Sequence, residues 1–292
     1  MTLFEMIAKS YLRLGQMVVR QATGGSTSTV VDSGIANEGR DNDYKTAPVF
    51  IMEADAAAPE GEFSQCSAST NSTGTITVSP SFTVAPASGD RYGLGTILIP
   101  LWTAIDVAND ALRQIGDIPL VDSSTTTVAA QRQYSIPVAV KRRKPLRVEI
   151  NISDASSDTN RQMIPDWDWI PAAAGSTGTI QLHRQPIGGQ TLYIWYTGVH
   201  PDVQLATSTI AEVVEPELAI AACSSALAAW ANRRQQGQDD FWKTMEDKMQ
   251  RDFDRIMTSR SIDYPDVEPR LFIPGDVQDT RYSRLTGDEL AV

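Results

Sequence analysis

The chain has 292 residues, of which 41% are hydrophobic and 21% charged, and its formal net charge is −11. Such a composition is ordinary for a globular protein with a substantial core, in roughly one to three domains. The acidic balance argues against tight, sequence-independent binding of nucleic acid, which needs cationic side chains to neutralise phosphates. Two cysteines and two histidines are too few for a disulfide framework or a His-rich metal site.

The first predicted element is an amphipathic helix over Thr2–Gln21. Thr2 and Glu5 have the spacing of a capping box, and Gly24 marks the end of the helical pattern. Charged residues interrupt the apolar ones, so the segment does not have the pattern of a secretory signal. No run in the chain reaches the length of a membrane span, and no membrane partner is expected. The apolar stripe comprises Leu3, Phe4, Ile7, Tyr11, Leu14 and Val18.

Short β-rich runs separated by turn residues follow up to Ile99, and Asn71–Gly74 is predicted as a hairpin turn between two of them. These runs predict a small β-sandwich or barrel over residues 23–99. Its strands carry Thr and Ser rather than Lys and Glu, which suits packing against neighbouring copies. The alternative is an ordinary small β-domain of a monomer.

A second helix is predicted from Pro100 to Gly116. Residues 118–209 again alternate as strands, and TIQLHRQ and TLYIWYTG are predicted to form a hairpin around Pro186–Gly189. The predicted buried stripe of the second helix comprises Trp102, Ile105, Ala108, Leu112 and Ile115.

Two more helices are predicted as an αα-hairpin, over Glu215–Gly237 and Asp240–Ser261. The first is rich in Ala and Ser, which permits close helix packing on more than one side. The second has one apolar face and one charged, solvated face. Its predicted buried stripe is Phe241, Met245, Met249, Phe253 and Ile256.

The last segment, Asp263–Val292, contains three prolines and no periodicity. We interpret it as an extended arm that becomes ordered against a partner, with a disordered terminus as the alternative. Its predicted partner-binding residues are Leu271, Phe272, Ile273 and Tyr282.

The dense basic run Lys141, Arg142, Arg143 and Lys144 is predicted to lie at a loop tip. On an acidic protein it would dock onto DNA or onto an acidic protein surface, and a solvated turn is the alternative.

Sequence motifs for catalysis are missing from the chain, which lacks GxxxxGK[ST], HExxH, GxSxG and CxxC. The paired carboxylates Asp166 and Asp168 are a weak signal for metal binding or acid–base chemistry. No catalytic residue, metal or cofactor is therefore predicted.

Together these elements predict an α+β fold. It would comprise the predicted helices, two antiparallel β domains or inserts, 23–99 and 118–209, and the extended C-terminal arm 263–292.

The order of these segments resembles the head-to-tail connector (adaptor or head-completion) proteins of tailed bacteriophages. The resemblance rests on TGTITVSPSFTVAPASGDRY, ALRQIGDI, QRQYSIPVAV, TIQLHRQPIGGQTLYIWYTGVHP and ELAIAACSSALAAWANRR, and covers most of Phe4–Ile262. It implies a helical-bundle core of residues 1–22, 100–117 and 210–262, built from the N-terminal helix, the central helix and the C-terminal αα-hairpin. It also implies a non-enzymatic virion protein, assembled in the host cytoplasm, that forms a ring of commonly twelve copies beneath the portal. The implied partners are the portal protein, tail or neck proteins and, transiently, genomic DNA in the channel.

Two other functions remain open at this point. A tail or baseplate β-protein could bind a host receptor or carbohydrate on an aromatic platform. A glycan hydrolase could use Asp166 and Asp168, although the sequence offers no convincing further acid. The platform would comprise Trp167, Trp169, Tyr193 and Trp195.

Overall fold

The computed structural model describes residues 1–55, 59–136, 140, 144–151, 161–171 and 177–259. Within them lie four helices: α1 Leu3–Arg13, α2 Leu101–Gln114, α3 Pro216–Arg234 and α4 Asp240–Ser259. The strands are β1 Met17–Gln21, β2 Gly24–Ser26, β3 Thr29–Val31, β4 Pro48–Glu53, β5 Phe63–Thr70, β6 Thr75–Ser79, β7 Arg91–Gly95, β8 Ile118–Thr126, β9 Gln133–Ser135, β10 Arg147–Asn151, β11 Arg161–Met163, β12 Trp167–Ile170, β13 Thr179–Leu182 and β14 Thr191–Gly198. The chain divides into two compact units. The first contains the described residues of Met1–Leu120 and those from Thr197 to the end of α4, and the second contains the described residues of Val121–Tyr196.

The first unit contains a seven-stranded sheet with the order β1-β7-β4-β5-β6-β3-β2. Its two outermost strands, β1 and β2, are separated in the chain only by Ala22 and Thr23. One bent segment therefore pairs with β7 on one side and with β3 on the other, which closes the sheet into a small barrel. Gly74, with φ 62°, ends the turn between β5 and β6, which confirms the predicted hairpin at this position.

The buried carboxyl of Asp32 forms hydrogen bonds with three different parts of the barrel. It accepts hydrogen bonds from Arg20 Nε at 2.9 Å, from Tyr92 Oη at 2.8 Å and from the Gly34 amide at 2.7 Å. Burial acts to raise the pKa of Asp32, but the hydrogen bonds from Tyr92 and Arg20 outweigh it and the pKa lies below its ordinary value. Burial also raises the pKa of Tyr92, so this phenol stays protonated and remains a donor.

Helix α1 begins as predicted, with the capping box of Thr2 and Glu5 both present. It packs on the barrel through aromatic contacts, because Phe50 of β4 lies 6.0 Å from the ring of Phe4 and 5.6 Å from that of Tyr11. Gly95 permits this close approach: a Cβ there would lie 2.5 Å from the Pro48 ring and 3.1 Å from Tyr11.

The prediction that α1 continues to Gln21 is wrong. The helix ends at Arg13, Gly15 adopts a left-handed φ of 66°, and the following residues form β1. Val18 and Val19 are β-branched and pair with Leu94 and Gly93 of β7. Val18 continues the helical spacing of α1 only by coincidence, and its side chain is exposed.

The prediction of a helical-bundle core carrying β inserts is also wrong. Four helices accompany fourteen strands in three antiparallel sheets, so that strands dominate the described fold. Helix α3 does contact α1, α2 and α4, but the core cluster around these helices also contains Met17 of β1, Phe50 of β4 and Ile118 of β8. The expected bundle is not formed because an amphipathic helix packs as well on a sheet as on other helices.

The second unit contains the four-stranded sheet β11-β10-β14-β8 and the three-stranded sheet β12-β13-β9. The predicted hairpin of TIQLHRQ and TLYIWYTG does not form, since β13 and β14 lie in different sheets. The connecting residues instead pair with Thr127, whose amide donates to the Gln190 carbonyl at 2.7 Å and whose carbonyl accepts from the Gly189 amide at 2.8 Å. These bonds direct β14 into the sheet that contains β8 and β10.

Among the described residues, no helix combines the length and the apolar character that crossing a bilayer requires.

Candidate interaction surfaces

Most of the residues predicted to contact partners lie outside the described part of the chain. This holds for Lys141, Arg142 and Arg143 of the basic run. It also holds for the whole arm 263–292, including Leu271, Phe272, Ile273 and Tyr282. Lys144 is described: its side chain is exposed and its Nζ lies 5.9 Å from the centre of the Trp167 ring.

Asp166 and Asp168 of the second unit make different contacts with His183. Asp168, on β12, lies with its Oδ2 at 2.8 Å from His183 Nε2, and both side chains are largely exposed. The backbone carbonyl of Asp166 accepts a hydrogen bond from the amide of His183 at 3.1 Å. Within the described ranges, no group of three or more His, Cys, Asp or Glu side chains is placed to hold a metal ion.

The aromatic residues of the predicted platform lie on two strands of separate sheets: Trp167 and Trp169 on β12, and Tyr193 and Trp195 on β14. The guanidinium of Arg161 covers the Tyr193 ring at 3.9 Å from its centre. The indole of Trp195 donates to Glu149 Oε2 at 2.9 Å. These rings are therefore engaged within the unit rather than forming one open stacking surface.

Glu149 is a buried carboxylate with two described partners. Its side chain is only 3% exposed and accepts both the Trp195 indole and a guanidinium nitrogen of Arg147 on the same strand. A buried charge with such partners is satisfied, and removing a partner would leave it uncompensated. We interpret the contacts of Glu149 with Arg147 and Trp195 as stabilising the four-stranded sheet from within.

His200 and the two cysteines are also used internally. The Ala211 amide donates to His200 Nε2 at 2.9 Å, so Nδ1 carries the proton and donates to the Pro201 carbonyl at 2.6 Å. Burial lowers the pKa of His200 and favours this neutral form. Cys66 and Cys223 are free and buried, and burial raises the pKa of their thiols to about 11 and about 12. Neither thiol has the lowered pKa of a nucleophile.

An open groove runs along the solvent face of α2. Trp102, Asp106 and Asp110 recur at every fourth position and therefore share one side of the helix. Together with Asp202 and Gln204 from the segment after β14, they line a space of about 460 Å³. We call this feature the α2 groove.

The floor of the α2 groove is held by Asn109. Its side-chain amide donates to the Val203 carbonyl at 2.9 Å, and its oxygen accepts the Val203 amide at 2.8 Å. This paired contact fixes the segment around Asp202 against α2. Because Asn109 is only 8% exposed, its donors and acceptor must be satisfied within the protein, and these bonds meet that need.

The α2 groove carries an excess of negative charge. Arg113 pairs with Asp110 at 2.7 Å and with Asp202 at 2.5 Å. Its single positive charge therefore offsets only one of these two negative charges. Asp106 is exposed and has no hydrogen bond or ion pair with another described residue. Trp102, one turn earlier, is 49% exposed, so its predicted place in the buried stripe is wrong.

Sequence reasoning missed the α2 groove because it assigned Trp102 to the core. The usable signal was the polar series Asp106, Asp110 and Arg113, which continues the same side of the helix as Trp102 and could not be buried with it. An aromatic face next to a free carboxylate can bind a guanidinium or ammonium group. The scan against family models and the search of curated proteins both found no match to the chain.

Proposed function

We propose that this chain is a non-enzymatic structural protein of a tailed-phage virion, a head-to-tail adaptor. In this proposal it forms a ring beneath the portal, commonly of twelve copies, joins the capsid to the tail or neck and lines the DNA channel. The order of its segments and their residue patterns resemble this family over most of Phe4–Ile262. This resemblance is the reason for proposing an adaptor rather than another structural protein.

The observation that carries the proposal is the half-exposed Trp102 in the α2 groove. Aromatic side chains are enriched at protein interfaces, where they supply much of the binding free energy once buried. Cys66, Cys223 and His200 are buried in internal contacts, whereas the paired side chains of Asp168 and His183 are exposed. The half-exposed ring of Trp102 supports a protein that acts by binding.

The net charge of −11 supports the DNA-channel part of the proposal. An acidic wall repels the phosphate backbone, so DNA can pass without being held. Contacts with genomic DNA would be transient and independent of sequence.

The arm Asp263–Val292 gives the proposal a direct test. The apolar residues Leu271, Phe272 and Ile273 would anchor the arm on the portal. We expect a chain truncated after Ile262 to lose co-sedimentation with purified portal rings, while its circular dichroism and melting temperature match those of the full chain. A triple substitution of the three anchors by Ser should have the same effect. Undiminished portal binding by both variants would contradict the proposal for the arm.

A further inference from the structure

We infer that the α2 groove receives the basic run Lys141–Lys144 of a neighbouring copy of the chain. This inference rests on the proposed function, because it names the contact through which subunits of the ring would join. The groove supplies an aromatic face and carboxylates, and the basic run supplies four consecutive cations in an otherwise acidic sequence.

The recognition chemistry is that of a cation held between a ring and a carboxylate. Trp102 and Asp106 lie one helical turn apart, so a guanidinium placed over the indole can also reach the carboxylate. Arginine suits this position better than lysine because its planar group stacks and donates in a fixed fork. Lys144 already lies near Trp167, so Arg142 and Arg143 are the residues expected to insert.

The negative charge of the α2 groove favours the basic run of a neighbouring copy as its occupant. The chain has 36 acidic and 25 basic residues, so two copies repel each other on average. Two copies can then associate only where a positively charged surface of one meets a negatively charged surface of the other. Asp106 has no described ionic partner, and Arg113 alone faces Asp110 and Asp202, which leaves the groove negative. The basic run carries the opposite charge.

The symmetry of the contact agrees with a ring. The groove and the basic run are different surfaces, so each copy would use one to bind the next copy and offer the other to the copy behind. Such a head-to-tail interface gives a closed ring where the rotation between successive copies closes, and an open filament where it does not. A contact between identical surfaces would stop at a dimer.

Two variants of the full chain test the inference. The groove variant carries Trp102→Ala and Asp106→Lys, and the run variant carries Arg142→Glu and Arg143→Glu. We expect each variant alone to self-associate more weakly than the unmodified chain by roughly tenfold or more. Mixed in equal amounts, the two should form a heterodimer of twice the 31.9 kDa chain mass, because one intact groove then meets one intact run.

The matched control carries Phe241→Ala and Asp247→Lys. It also removes a half-exposed aromatic ring and reverses an exposed acid on a helix, but on α4. The predicted place of Phe241 in the buried stripe of this helix is wrong, since its side chain is 47% exposed. We expect the control to associate like the unmodified chain, as measured by sedimentation velocity, with circular dichroism confirming that every variant is folded. Association of the unmodified chain should weaken as salt approaches about 1 M, where the Debye length falls to about 3 Å.

The outcomes separate this inference from the proposed function. If the unmodified chain and both variants associate equally, the groove contact is wrong and the ring proposal stands. If both variants are monomeric but their mixture is also monomeric, the run does not enter a neighbour's groove and the inference fails. If the unmodified chain never associates, the ring proposal fails together with the inference.

Discussion

Asp32 stabilises the barrel while its carboxyl is charged. Its pKa lies below the ordinary value because Tyr92 and Arg20 donate hydrogen bonds to the carboxylate, against the opposing effect of burial. A lowered pKa in the folded state contributes stability above the unfolded pKa of about 3.9, and that contribution is lost as the pH falls through the folded pKa. The barrel should therefore depend on Asp32 at neutral pH and progressively less in acid.

The substitution Asp32→Asn tests this dependence. We expect the free energy of unfolding at pH 7 to fall by roughly 1.5–3 kcal/mol, the range for a hydrogen bond to a charged group. At a pH below the unfolded pKa of about 3.9 the difference should be smaller, because the contribution of the charged carboxylate is lost as the pH falls through the folded pKa. Urea unfolding at both pH values measures the effect, with the exposed Asp247→Asn as control. A difference that does not change with pH would contradict the assigned role of the charge.

Gly95 is required by packing rather than by its backbone angles. A methyl group at this position would meet the rigid Pro48 ring at 2.5 Å, whereas at the exposed Gly39 it would meet only the flexible end of Asp43. We expect Gly95→Ala to lower the free energy of unfolding by roughly 1–3 kcal/mol, as overpacking does. Gly39→Ala should change it much less. Equal effects in urea unfolding would show that the contact of α1 with the barrel is not tight at this point.

Among the elements, the N-terminus of α1 offers a simple test of a local sequence signal. Thr2 Oγ1 accepts the Glu5 amide at 3.2 Å, and Glu5 Oε2 accepts the Thr2 amide at 2.9 Å. Thr2→Ala should cost about 1 kcal/mol by removing the cap, while Thr2→Ser should retain most of the stability. Thermal melting of the two variants compares them. Indistinguishable melting curves would mean that tertiary contacts alone define this end of the helix.

Local signals in the sequence predicted the elements whose ends depend on nearby residues. The capping box of Thr2, the turn ended by Gly74, and α2 between Pro100 and Gly116 are each confirmed within about two residues. The pairing of α3 with α4 is also confirmed by their contacts. In each case a cap, a glycine or a short connection determines the structure, and these are visible in the sequence.

Predictions that depended on distant residues failed. β13 and β14 look like a hairpin in the sequence, but hydrogen bonds to Thr127 place them in different sheets. The helical bundle was expected from the family resemblance, and the apolar stripes of the helices do not specify whether a helix or a sheet covers them. The α2 groove depends on Asn109 and Val203, which are far apart in the chain. Contacts between residues that are far apart in the chain cannot be read from the local pattern of a single sequence.

At the scale of the whole molecule, we propose that the protein acts through surfaces shared with other chains. Its described cysteines and His200 serve internal contacts, whereas Trp102 and Asp106 remain open to a partner. The net charge of −11 opposes association unless opposite charges meet locally. Self-association should therefore depend strongly on salt and on few residues.

The most direct test is the mass of the purified full-length chain in solution, measured by mass photometry over a range of protein concentrations at low salt. We expect particles whose mass is a fixed multiple of 31.9 kDa, because a closed ring has a fixed number of subunits. A particle of 31.9 kDa at every concentration would contradict the proposed ring.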